Sequence, residues 1–321
     1  MSKWYLQKLY EITDQPTLRF AFQGTINWMR GLAILTNEDN FTNEKIQDYY
    51  KNVKQRNKNS DADLVVFENI LMSIHNLHSL KLINSKIDTP YSIARTQIIS
   101  WYYSIYYASS AMIGAYSGNT QETHAGTAKV WQNNIVEHNL AVFPFNLALP
   151  TLVEKDYKKE IKNMRNGNTF DLNNYPTNVK EAKGALYSYL QGTASYKKWE
   201  VEEKLKKSKE FKKLGVDNFR TKRARELRDS KLQQGMVNFL VQAFRYRGKA
   251  NYRDSVLLSY GDDRSEELKQ FVLDLDTVAT AFLKMASTYA KARVHKADWD
   301  EFVADLESNL RFEFDTSILK I

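Results

Sequence analysis

Cysteine is absent from this 321-residue chain. Disulfides, thiolate metal ligands and cysteine nucleophiles are therefore excluded, and a reducing, cytoplasmic setting is expected. Glycine (12) and proline (5) are scarce. Sheet-rich and loop-rich proteins need both residues at their turns, so this scarcity points to long helices. No run of ~18 apolar residues occurs, so no membrane-spanning helix and no membrane partner are expected. The opening MSKWYLQKLYEITDQP lacks an apolar h-region, and no secretory signal is expected. No P-loop, G-x-G-x-x-G, H-E-x-x-H or G-x-S-x-G occurs, and no cofactor is implied.

What is abundant is apolar and aromatic surface, 43% and 13% of the residues. That is enough for a sizeable core. Leu18, Phe22, Ile26, Met29 and Ala33 recur at helical spacing. So do Phe67, Ile70, Leu71, Ile74 and Leu77 in a helix expected at about 62–83. A helix at about 93–117 lines one side with Ile98, Trp101, Ile105, Ala108 and Met112. It packs Trp101, Tyr102, Tyr103, Tyr106 and Tyr107 into seven positions, which must face several directions. Those rings fill a core or dimer seam, or stack on a ligand. Shorter helices are expected from Thr123, near 152–164 and from Asn178, where Glu181 three residues on suggests a capping box. A further helix is expected near 233–246. Leu268, Phe271, Leu275, Val278, Phe282 and Tyr289 then mark an amphipathic helix over about 265–292. A last helix holds Trp299, and the alternating tail LRFEFDTSILKI reads as a possible strand.

The net charge of +8 is unevenly placed. Tyr196–Leu232 holds 14 Lys/Arg against 7 Asp/Glu, whereas Asp262–Ile321 holds 8 against 13. The basic stretch interleaves acids with bases, which suits a solvated helix face. Its denser half puts Arg220, Lys222, Arg223 and Arg225 within six residues, which suits phosphate contacts. Arg245, Arg247 and Arg253 are also close in sequence, as an anion patch or as ion-pair partners. His75 and His78 sit three apart on a helix, but no third ligand completes a metal site, and none is expected.

Three pieces occur in a fixed order: ARTQIISWYYSIYYASSAMIGAYSG, then Thr123-His124-Ala125-Gly126, then Arg247-Gly248-Lys249-Ala250-Asn251-Tyr252. In that order they resemble the HEPN family, named for higher-eukaryote and prokaryote nucleotide-binding domains. The matching subgroup has a YYA-type helix, an H-x-G step and a final helix beginning near R-x-x-A-D-Y. The resemblance covers about 62–148 and 233–260. It implies an antiparallel four-helix core, often dimeric, in toxins, antiphage systems and RNA-processing proteins. Nuclease members carry Arg, four to six residues, then His. No Arg of this chain has a His at that distance, and Tyr252 stands at the x4 position after Arg247. Tyrosine near pKa 10 is a poor base beside histidine near 6.5, so binding is expected more than cleavage. His124 is expected to cap or orient its helix.

The expected architecture is all-α: an N-terminal unit (1–60), a HEPN-like core (61–150 and 233–261), a projecting basic helical insertion (151–232) and a C-terminal helical pair (262–321). The expected function is nucleic-acid binding, RNA foremost, in a bacterial defence or toxin–antitoxin type system. Arg220, Lys222, Arg223, Arg225, Arg245 and Arg247 are the expected contacts, and Arg247 and Tyr252 the candidates for any catalysis. The partners expected are nucleic acid, a second copy of the chain, and a protein of the same system. A metal-independent ribonuclease with a nonstandard site, and a subunit docking a protein through its basic insertion, are the alternatives.

Overall fold

The computed structural model describes residues 5, 8, 18–37, 41–84, 87–119, 121–251, 258–259 and 263–321. Tyr252 and Arg253 lie outside the described residues. The described chain is predominantly helical, with one two-residue ladder, in keeping with its scarcity of glycine and proline.

The helices are α1 (Leu18–Thr36), α2 (Asn43–Tyr50), α3 (Ser60–Asn84), α4 (Pro90–Ser117), α5 (His124–Trp131), α6 (Glu154–Arg165), α7 (Val179–Lys207), α8 (Lys209–Lys212), α9 (Lys222–Gln233), α10 (Phe239–Asn251), α11 (Ser265–Arg293) and α12 (Lys296–Asn309). Their ends follow local chemistry. Pro90 opens α4, where its missing N–H costs nothing, and Gly118 closes it at φ 75° with its N–H on the Gly114 carbonyl. Asn178 caps α7 by accepting from the Glu181 N–H. The returning Glu181 carboxylate takes the Thr177 N–H and hydroxyl, one residue earlier than a standard capping box.

Helix α4 is the hub. It packs against α3, α10 and α11, and its Trp101, Ile105, Ala108 and Met112 are fully buried. The α3–α4 crossing is close because small residues line it: Ser73 donates to the Ser104 carbonyl at 2.8 Å, and Gly114 lies against Val66. Around Trp101 an aromatic core gathers Trp28, Phe239 and Tyr246 at centroid distances of 5.6–6.5 Å.

Three sequence expectations are corrected. The N-terminal unit and the C-terminal pair are not separate bodies. Ile26–Leu35 of α1 and Leu268–Tyr289 of α11 belong to one hydrophobic cluster with α3, α4 and α10. Nor does all of 151–232 project: Ala182, Leu186 and Tyr189 of α7 pack into that same cluster. The part that leaves it is pinched at its base by Ala148–Leu149, paired antiparallel with Val237–Asn238. Beyond this ladder, Leu152, Tyr157, Ile161, Leu190 and Leu232 form a second cluster, and Leu205, Phe211 and Ala224 a third at the distal tip. Finally, the tail forms no strand. It runs as coil into a 3-10 turn, Thr316–Leu319.

Candidate nucleic-acid interface

Tyr246 on α10 is buried, its hydroxyl donating to the Thr25 carbonyl at 2.6 Å. That anchor sends its neighbour Arg247 toward α4, while Arg95 of α4 holds the Ala250 carbonyl at 3.0 Å. Arg247 is half-buried and donates from Nη1 to the Tyr103 hydroxyl at 3.1 Å. Its guanidinium carbon lies 5.0, 5.1 and 5.9 Å from the ring centres of Phe244, Tyr102 and Tyr103, within cation–π range. No carboxylate pairs with it among the described residues, and its buried Nε has no hydrogen-bond partner. Rings and the Tyr103 hydroxyl hold the charge without neutralising it.

His124 completes this cradle. Thr123, not His124, caps α5, accepting from the Gly126 N–H at 3.0 Å. The imidazole instead faces α4, so of the two expected roles, capping or orienting its helix, the capping one is corrected. Its Nδ1 lies 2.8 Å from the Tyr102 hydroxyl, and its ring packs on Tyr106 and Phe244 at 4.6 and 5.1 Å. Burial, then the Arg247 charge, lowers the His124 pKa below 6.5, so it is neutral at pH 7. Burial pushes the Tyr102 phenol well above the ordinary tyrosine range, keeping it protonated. Donation from Tyr102 to Nδ1 leaves an N–H at Nε2, and the reverse sense leaves Nε2 as an acceptor. Thus the three sequence pieces meet at one place, and a histidine stands there although none follows Arg247 in sequence.

The other cations divide. Lys197 pairs with Glu200, Lys198 with Glu154, Lys206 with Glu203, Arg228 with Asp229, and Lys231 with Glu210. These are the solvated, self-compensated faces of interleaved helices. Lys222 is highly exposed and only loosely paired, 3.9 Å from Glu226. Arg220, Arg223 and Arg225 are exposed and have no carboxylate partner among the described residues. They sit around the start of α9 at the distal tip, where Thr221 caps the helix.

Arg245 does not join Arg247. Two residues on a helix point ~200° apart. Arg245 accordingly faces α7, donating to Thr193 Oγ1 at 3.2 Å and lying 4.6 Å over the Tyr196 ring. A single Arg245–Arg247 patch is therefore corrected to two flanks of α10. His75 and His78 pack on Phe312 at 5.4 and 4.4 Å, and no metal-binding cluster exists among the described residues. No helix among the described residues is long and apolar enough to cross a membrane. No family model matches the chain, and neither a curated protein nor a solved structure matches it.

Proposed function

We propose that this chain is a HEPN-like, cytoplasmic nucleic-acid-binding protein, taking RNA foremost, of a bacterial defence or toxin–antitoxin type system. The observation that carries the binding is the set of uncompensated guanidiniums. Six cations of its basic stretch are paired with carboxylates, whereas Arg220, Arg223 and Arg225 are exposed with no carboxylate partner among the described residues. Arg247, half-buried in a cradle of rings and the Tyr103 hydroxyl, also has no carboxylate partner among the described residues. Exposed cations at such density favour phosphate, and Arg presents a fork that fits it. The HEPN component is supported by the convergence of Tyr102, Tyr103, His124 and Arg247, which come from the three ordered motifs. The cellular setting rests on that resemblance. The experiment is fluorescence anisotropy with labelled RNA and DNA at two salt concentrations. Affinity should fall steeply with salt, and absent or salt-independent binding would favour docking of a protein partner instead.

One observation favours a second reading, metal-independent RNA cleavage: His124 stands in the Arg247 cradle in its neutral form. A 2′-hydroxyl would attack the adjacent phosphorus as the P–O5′ bond breaks, leaving a 2′,3′-cyclic phosphate and a 5′-hydroxyl. His124 would take the 2′-hydroxyl proton and return it to the departing O5′. Arg247 would hold the charge gathering on the phosphoryl oxygens. A gel assay decides it: cleavage lost in both His124→Ala and Arg247→Ala supports the activity, and intact RNA with the wild-type chain excludes it.

A further inference from the structure

We infer that Tyr196 and Trp199, backed by Arg245, form a stacking platform for the unpaired bases of a single-stranded nucleic acid. This rests on the nucleic-acid function proposed above and names where the bases go. Trp199 is 54% exposed and Tyr196 39%, one turn apart on α7 with ring centres 5.7 Å apart. The other described tryptophans, Trp28, Trp101, Trp131 and Trp299, are all at least 99% buried. The chain thus hides every described tryptophan except this one.

The pair is not a loose surface ornament. It ends a ladder that starts in the core. Trp28 stacks on Tyr189 at 4.3 Å, Arg245 lies 5.9 Å from Tyr189 and 4.6 Å from Tyr196, and Tyr196 reaches Trp199. Tyr189 and Tyr196 are seven residues apart, so they share one face of α7. A guanidinium clamped between two rings and tied to Thr193 fixes Tyr196 before any ligand arrives. Fixing the rings in advance removes an ordering cost from binding.

Charge selects the occupant. Arg245 has no carboxylate partner among the described residues, and neither do the exposed Lys204 and Lys207, ~8 and ~12 Å further along the helix axis. They lead from the platform toward Arg220–Arg225 at the tip. An aromatic pair backed by Arg245, with Lys204 and Lys207 further along the same helix, suits a base with its phosphates, and every base offers a ring face. An apolar protein patch would need aliphatic neighbours, and Lys197 and Glu200 stand there instead.

The test reads tryptophan emission while the full chain is titrated with oligouridylate, oligodeoxythymidylate, or a duplex of matched length. Single strands should quench emission, and Trp199→Phe should abolish that quench while keeping most of the affinity. Trp199→Ala should weaken single-strand binding roughly tenfold or more and leave duplex binding alone. A melting temperature like wild type shows that Trp199→Ala still folds. If Trp199→Ala binds single strands as wild type does, or the quench survives in Trp199→Phe, the platform is overturned and the nucleic-acid function stands. If wild type binds no nucleic acid, both fall.

Discussion

Replacing Arg220, Lys222, Arg223 and Arg225 together with Ala should change binding without changing stability. All four side chains are exposed, three have no carboxylate partner among the described residues, and Lys222 is only loosely held by Glu226. Exposed substitutions of this kind alter stability by about 0.5 kcal/mol or less, so the urea midpoint should hold. Each phosphate contact on a single strand contributes ~0.7 to the slope of log affinity against log salt. With Lys222 discounted for its pairing, the variant's slope should be shallower by ~2–3. Between about 50 and 200 mM salt, the wild type should therefore lose roughly 20- to 60-fold more affinity than the variant does. Anisotropy at four salt concentrations measures this. A variant with the wild-type slope and affinity would refute the assignment of the tip to phosphate, whatever else binds RNA.

Other outcomes follow from the same geometry. His124 has a pKa below its ordinary 6.5, so the unfolded chain binds its proton more readily than the folded one. Stability should then fall as pH drops below about 6.5 until the folded pKa is passed, and His124→Asn should flatten that part of a urea-midpoint profile. Trp101→Ala should cost ~3–5 kcal/mol in denaturant unfolding, because the ring is fully buried against Trp28, Phe239 and Tyr246. We also propose a homodimer through the half-buried Tyr103, Tyr106 and Tyr107. Light scattering should give twice the chain mass at high concentration, and a monomer there would refute it.

Most of the helices were legible because their apolar residues repeat every three or four positions, a spacing that survives in α3, α4 and α11. Composition changes inside α7 without a change in structure: the charge rises near Tyr196, yet α7 runs on to Lys207, with Lys197–Glu200 and Lys206–Glu203 paired along it. The alternation of Leu310, Phe312 and Phe314 makes a strand possible in the tail. Those three side chains do turn inward while their neighbours are exposed. Alternation reports extended backbone, however, and a strand also needs an edge to pair with. Arg247 was legible from its motif. His124's place beside it was not, because Phe244 and Arg247 are more than a hundred residues away in sequence. Trp199 was hidden inside a run read only for its charge. Its exposure depends on which face of α7 the second cluster covers, and no local pattern states that.

The most direct measurement is photo-cross-linking of the wild-type chain to a uridine-rich RNA, followed by mass spectrometry of the attached peptides. The account predicts adducts on the peptides carrying Arg220–Arg225 and on that carrying Tyr196–Trp199, both lost at high salt. Adducts confined to the acidic helices α11 and α12, or none at all, would contradict it.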